Sequence, residues 1–152
     1  MPEAWRIVKA KHVTEAFTGE GAARTSGRWN SRGVLVVYTS ASKSLAALET
    51  LVHLNPSAFF AYKVFRIQFD ETLVENFPLA ALPPDWQSEP PPPTTKAIGD
   101  TWVRAARSAV LALPSVIIPN ELNYLLNPAH VDFKKIKIGS PEDFAFDARL
   151  LT

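Results

Sequence analysis

A single α+β domain is the fold class this sequence predicts, on three observations. Short runs with strand-like alternation, or rich in β-branched and aromatic residues, are interleaved with segments whose apolar residues recur at helical spacing. The 152 residues are 47% apolar, enough to bury one sizeable core and too few for two ordinary domains. No internal repeat divides the chain, and its one low-complexity segment is a proline tract, Pro90 to Pro93.

The elements follow in order. Trp5 to Val8 suits an opening strand, and Lys11 to Phe17 is polar and compatible with a helix. Thr18 to Gly33 carries four of the six glycines together with Ser26, Asn30 and Ser31, which predicts irregular surface backbone of the kind that contacts ligands. Val34 to Thr39 reads as a buried strand. Ser42 is placed to cap a helix with an apolar face of Leu45, Leu48 and Val52, and Pro56 marks its stop. Phe65, Ile67 and Phe69 alternate with Arg66 and Gln68, the pattern of a half-buried strand. Between Phe77 and Thr95 the prolines forbid a regular element. Thr94 or Thr95 then begins a second helix with a face of Ile98, Trp102, Ala105 and Ala106. Ala109 to Leu113 and Val116 to Ile118 are strand-like, and Phe133 to Ile138 alternates again.

Composition narrows the function. Lysine and arginine exceed the acids by one, so nothing in the overall charge calls for nucleic acid or an anionic membrane, and any phosphate recognition has to be local. The absence of cysteine removes disulfides, thiolate catalysis and zinc–thiolate sites. The start at Met1 lacks a signal-peptide pattern, and no run of about 18 apolar residues occurs; a cytoplasmic protein is expected. Gly19-Glu20-Gly21 is not a dinucleotide loop, because Arg24 stands where the third glycine belongs. His12, His53 and His130 lie far apart in sequence without metal-ligand spacing, so no metal site is expected.

What remains is a constellation around the glycine-rich segment. Arg28 lies just before the strand that ends at Tyr38, and that strand leads into the helix bearing Glu49 and His53. An arginine fork binds phosphate in bidentate fashion, and neighbouring glycines let backbone approach a ligand. A tyrosine at a strand end offers a ring for stacking and a hydroxyl for hydrogen bonding. A glutamate at the border of an apolar helix face could accept a hydrogen bond from a ribose hydroxyl as an oxocarbenium ion develops. Spacing alone fits structural roles as well: an Arg28–Glu49 ion pair, Tyr38 as a core aromatic, Ser115 ending a strand after Pro114, His53 at a helix end, Trp29 bracing the loop.

The runs Gly27-Arg28-Trp29-Asn30-Ser31-Arg32-Gly33, Val36-Val37-Tyr38-Thr39-Ser40 and Leu45-Ala46-Ala47-Leu48-Glu49-Thr50-Leu51-Val52-His53-Leu54 resemble the signature of RES-domain proteins, named for an arginine, a glutamate and a serine. Further blocks agree in order: Trp5-Arg6-Ile7, Lys96 to Trp102, Leu113-Pro114-Ser115-Val116, Glu121 to His130, and Phe146 to Leu150. The resemblance spans nearly the whole chain, and it places the family arginine on Arg28, the glutamate on Glu49 and the serine on Ser115, with Tyr38 as the aromatic companion.

That resemblance implies an ADP-ribosyltransferase-like fold, a split β-sheet with flanking helices around an NAD+ cleft. It implies a bacterial toxin of a type II toxin–antitoxin system that cleaves the nicotinamide–ribose bond of NAD+ by hydrolysis or phosphorolysis, depleting the cell of NAD+; the alternative is an ADP-ribosyltransferase modifying a protein. NAD+ is then a substrate, with no cofactor beyond it and phosphate a candidate co-substrate. Arg28 would hold the pyrophosphate or nearby ribose, Tyr38 the nicotinamide end, Glu49 the ribose cation and Ser115 the nicotinamide-side pocket, with Arg6 a second anion contact. The implied partner is an Xre-like antitoxin that blocks the NAD+ site in a dimer-based complex and supplies any DNA contact. A non-catalytic nucleotide-binding module and an interaction protein using the proline tract are the competing classes.

Overall fold

The computed structural model describes residues 1–54 and 60–151. Among these residues eight strands form one sheet: β1 (Glu3–Lys9), β2 (Val37–Ser40), β3 (Tyr62–Gln68), β4 (Val74–Asn76), β5 (Val110–Pro114), β6 (Leu122–Leu126), β7 (Lys137–Ile138) and β8 (Glu142–Phe144). Their order is β4-β5-β6-β2-β1-β3-β7, with β8 also on β3, and the sheet curls into a half-barrel with few helices. All pairs are antiparallel except β4 with β5. The expected α+β class is therefore the one observed.

The ladders are uneven. β1 pairs with β3 continuously from Glu3↔Gln68 to Lys9↔Tyr62, but with β2 only at Trp5↔Ser40. Past that single pair β1 and β2 part company, so the sheet is split near its middle, between two well-knit halves. The apolar clusters divide by face and not by half. One face carries Ala4, Val37, Ile67, Phe69, Val110 and Leu126; on another, Val36, Leu111, Leu113 and Leu125 meet Trp29 and Trp102. β5 is buried at every position because it is covered on both faces, which is why its sequence shows no alternation.

Among the described residues three α-helices accompany this sheet: α1 (Glu20–Thr25), α2 (Lys43–Leu51) and α3 (Pro93–Ala105). α2 starts where expected, with Ser42 Oγ accepting from Leu45 N at 3.0 Å. Its buried face differs from the expectation. Leu45 and Ala46 are buried, whereas Leu48 is 37% and Val52 59% exposed. The small Ala46 and Ala47 let the helix lie close against Ile7, Tyr62 and Val64, and that rotation turns the larger residues outward. The expected stop at Pro56 lies outside the described residues.

Other boundaries also shift. Residues 18–33 contain the short helix α1 and are not wholly irregular, and the Lys11 to Phe17 segment is a 3-10 stretch over Ala10–Glu15. The strand expected over Val34 to Thr39 is confined to Val37–Ser40. α3 opens at Pro93, whose missing N–H costs nothing in a first turn; the proline tract thus ends inside a helix. Its buried residues are Thr95, Gly99, Asp100 and Trp102, and Ala105 and Ala106 of the expected face are exposed. Val116 to Ile118 forms a turn tied to Ser115 instead of a strand. Lys137–Ile138 is the only strand within Phe133 to Ile138, after a 3-10 turn.

Candidate active site

The split in the sheet is occupied by a charged side chain. Where the β1–β2 ladder stops, Arg6 donates from Nη1 to the carbonyl of Tyr38 at 2.9 Å and from Nε to that of Ala16 at 2.7 Å. Among the described residues no carboxylate pairs with it. Burial pulls its guanidinium down to about 10, low for arginine yet still protonated at neutral pH. Beside it opens a cavity of about 480 Å³ between β1, α1 and the end of α2. Lys9 and Arg24 add positive charge to its lining, Glu15 is the single carboxylate there among the described residues, and Thr50 and His53 enter from α2. Arg24 is paired with Glu20 at 3.3 Å, and the lining as a whole carries more cationic than anionic side chains.

One turn before His53, Glu49 points to the other half of the sheet. Ser115, fully buried just past the end of β5, donates from Oγ to Glu49 Oε1 at 2.8 Å. The same Oγ accepts from Ile117 N and Ile118 N, both at 3.1 Å, so the turn after β5 fixes the serine and the serine fixes the glutamate. Among the described residues Glu49 Oε2 has no partner. The fold thus holds the carboxylate through one of its two oxygens.

Arg28 lies in the loop of residues 26–31, which α3 clamps from several points. Lys96 Nζ donates to Gly27 O at 2.7 Å and to Ser26 Oγ at 3.2 Å. The Asp100 carboxylate accepts from Ser31 N at 2.9 Å and Ser31 Oγ at 2.5 Å. Gly99 lies against the Trp29 carbonyl so closely that a Cβ there would sit 1.7 Å from the oxygen. Ser26 has φ 62° and ψ 170°, a conformation nearly reserved for glycine, and such strain persists only where neighbours over-determine it; the Lys96 contact is one of those neighbours.

Tyr38 belongs to the same loop assembly. Its hydroxyl donates to Asn30 Oδ1 at 2.6 Å and accepts from Trp29 N at 3.1 Å, while Asn30, with no exposed surface, donates to the carbonyls of Ala22, Ser31 and Val34. Burial pushes the Tyr38 phenol well above the ordinary tyrosine range; the charge of Asp100 acts in the same sense and the Trp29 N–H in the opposite one. The hydroxyl is therefore committed to the loop, and the ring packs beside the Trp29–Trp102 cluster.

Arg28 itself turns toward the proline-rich segment. Nη1 donates to Trp86 O at 3.0 Å and Ser88 O at 2.7 Å, and Nη2 to Glu89 Oε2 at 2.5 Å. The fold thus joins Glu49 directly to Ser115, joins Arg6 to the backbone of Tyr38, and packs Tyr38 under the Arg28 loop. It makes no ion pair between Arg28 and Glu49; their partners are Glu89 and Ser115. Trp29 is 3% exposed and braces the loop against Trp102. His53 is exposed at the cavity, beyond the last turn of α2. Sequence reasoning missed Asn30, Lys96, Gly99, Asp100 and Glu89 as parts of this site. The block Lys96 to Trp102 was visible as a motif, but nothing in its spacing said that it grips residues 26–31.

The RES domain family matches residues 3–147. A protein named Toxin Res from Yersinia enterocolitica is 38% identical over 148 residues, covering 96% of this chain and 97% of that one. The Prs ADP-ribosylating toxin of a Sphingobium species is 37% identical over 153 residues, covering 97% and 95%. In fold, the chain is similar to one in the crystal structure of the M. tuberculosis MbcT–MbcA toxin–antitoxin complex, with a TM-score of 0.74, 17% identity, and coverage of 93% of this chain and 83% of that one.

Proposed function

Since the chain belongs to the RES-domain family, we propose that it is the toxin of a toxin–antitoxin pair and that it breaks the nicotinamide–ribose bond of NAD+. The observation that carries this reading is the Glu49 carboxylate: one oxygen fixed by Ser115, the other unpartnered, on the helix that also lines the cationic cavity at the split of the sheet. The cavity, with Arg6 set in its wall, suits an anionic group; Arg28 lies outside that lining, in the loop of residues 26–31, and is assigned there as a phosphate ligand.

In the reaction nicotinamide leaves with the electron pair of the glycosidic bond, and positive charge develops over the anomeric carbon and ring oxygen. Glu49 Oε2 accepts a hydrogen bond from a ribose hydroxyl, a contact that strengthens as that charge grows. Ser115 contributes by preventing Glu49 from rotating away. The Tyr38 ring packs at the nicotinamide end, neutral because its burial disfavours the phenolate. The cation is then captured by an acceptor. Water yields ADP-ribose and a proton, phosphate yields ADP-ribose phosphorylated at the anomeric carbon, and a protein side chain loses a proton and yields an ADP-ribosylated target. Water or phosphate is the proposed acceptor; the name of the Sphingobium relative favours protein transfer as the alternative. An antitoxin that covers the cleft, Xre-like and assembled on a dimer, is the proposed restraint, in keeping with the fold's likeness to a chain of a toxin–antitoxin complex.

Nicotinamide release from NAD+ by the purified protein tests the reading, with and without phosphate and beside Glu49→Gln. Release abolished by the substitution, with NAD+ binding retained, is the expected result. Stimulation by phosphate identifies phosphorolysis, and release only with a protein acceptor identifies transfer. Folded, antitoxin-free protein that releases nothing under any of these conditions refutes it.

A further inference from the structure

We propose that Glu89 is a specificity-determining residue of this site: its carboxylate occupies the place on the Arg28 guanidinium that a substrate phosphate takes. A pyrophosphate gains that arginine only by exchanging with Glu89, and a ligand without a phosphate leaves the pair intact. The inference rests on the reading above in which Arg28 is a phosphate ligand, and it gives the proline-rich segment a function.

The contact is asymmetric in a way that suits exchange. The Arg28 side chain is 12% exposed and that of Glu89 72%. Arg28 is held in place independently of Glu89, because Nη1 donates to two backbone carbonyls, those of Trp86 and Ser88. Its Nε has no partner among the described residues. Glu89, by contrast, has Arg28 as its one partner among the described residues, so a rotation about its own side chain releases it. The segment around it does not have to move. Trp86 packs on the Trp29–Trp102 cluster, Asp85 Oδ1 accepts from Thr94 Oγ1 at 2.7 Å, and Pro92 is buried. When the carboxylate swings out, a fixed guanidinium with a free Nε–H and Nη2–H edge remains, the geometry that binds a phosphate through two parallel bonds.

The exchange is favourable because the two anions are unequal. With its Glu89 side 72% exposed, the pair is a weak competitor, worth about a fivefold change in an equilibrium, whereas a phosphate brings more charge and bidentate geometry. Glu89 therefore weakens pyrophosphate binding modestly and leaves little room for weak anions. Its removal is expected to tighten ADP-ribose binding about three- to fivefold and to leave nicotinamide riboside, which has no phosphate, unchanged.

Calorimetric titration with ADP-ribose, which cannot lose nicotinamide and so reports binding alone, makes the test on wild type, Glu89→Gln, Arg28→Gln and the double variant. The exposed Glu89 can be replaced without disturbing the fold, and thermal unfolding of each variant verifies this. The proposal expects tighter binding by Glu89→Gln and weaker binding by Arg28→Gln, with no gain from Glu89→Gln once Arg28 is gone. Weakened binding by Arg28→Gln, together with unchanged or weaker binding by Glu89→Gln, overturns the proposal while leaving the role of Arg28 standing. An equal gain in both backgrounds overturns it as well, since long-range charge then accounts for the effect. No binding of ADP-ribose by any variant, or full binding by Arg28→Gln, refutes the underlying reading of Arg28 and the proposal with it.

Discussion

Gly99→Ala separates two opposite expectations for one methyl group. Helix propensity alone makes alanine the better residue inside α3, by about 1 kcal/mol. The fold makes it worse. An added Cβ lies 1.7 Å from the Trp29 oxygen and 2.8 Å from the Trp29 carbonyl carbon. A tolerable carbon–oxygen approach is ~3.3 Å, so the helix and the loop must separate by roughly 1.6 Å. Both colliding groups are anchored to backbone and cannot escape by a rotamer change. That places the strain at the upper end of the usual overpacking range, about 3 kcal/mol, and leaves a net loss of about 2 kcal/mol after the propensity gain. For a chain of this size the midpoint of thermal unfolding should fall by about 4–8 °C, followed by near-ultraviolet circular dichroism through Trp29 and Trp102. The displaced carbonyl belongs to the residue after Arg28, and a misplacement of this order in a binding site costs about 100-fold in turnover. Nicotinamide release by the same variant therefore falls further than its stability. An unchanged or raised unfolding midpoint refutes the claim that Gly99 is a contact point between α3 and residues 26–31.

Ser115→Ala removes the donor to Glu49 and the acceptor of Ile117 N and Ile118 N; we expect a stability loss of about 1–3 kcal/mol in urea unfolding, and a fall in kcat with KM little changed, so a loss confined to KM counts against Ser115 as the group that positions Glu49. All three tyrosines have phenols raised by burial. The folded state then keeps protons that the unfolded state begins to lose near the ordinary value of about 10, so stability is full below that pH and declines as pH rises beyond it. Absorbance at 295 nm, near pH 10.5, should be low in native protein and rise on unfolding in urea; equal tyrosinate in both states contradicts the burial of Tyr38.

The α+β class was legible because its signals are local. Ser42 caps α2 by a hydrogen bond to a residue three places away, and the alternation through Phe65 and Ile67 needs only one buried face. Local signals failed where neighbours in space decided the matter. Leu48 and Val52 look like the core face of α2 until the sheet beneath selects Ala46. Val116 to Ile118 has strand composition, but the Ser115 hydroxyl takes two of its N–H groups into a turn. The strands Val74–Asn76 and Glu142–Phe144 are too short to show any period, and exist because a longer strand lies beside them.

Residue type and order are enough for the class of fold and the family, and they single out Arg6, Arg28, Tyr38, Glu49 and Ser115. These are matters of residue type and order, and they survive without coordinates. Which of these residues meet depends on how the chain folds back on itself. Glu49 and Ser115 are 66 positions apart and come together because α2 and the end of β5 converge over the sheet. Arg28 finds Glu89, 61 positions on, instead of Glu49. The reason is that a hydrogen bond acts over about 3 Å, whereas a motif records only the order of residues along the chain; the distances between them exist once the sheet has split and the helices have settled on either side.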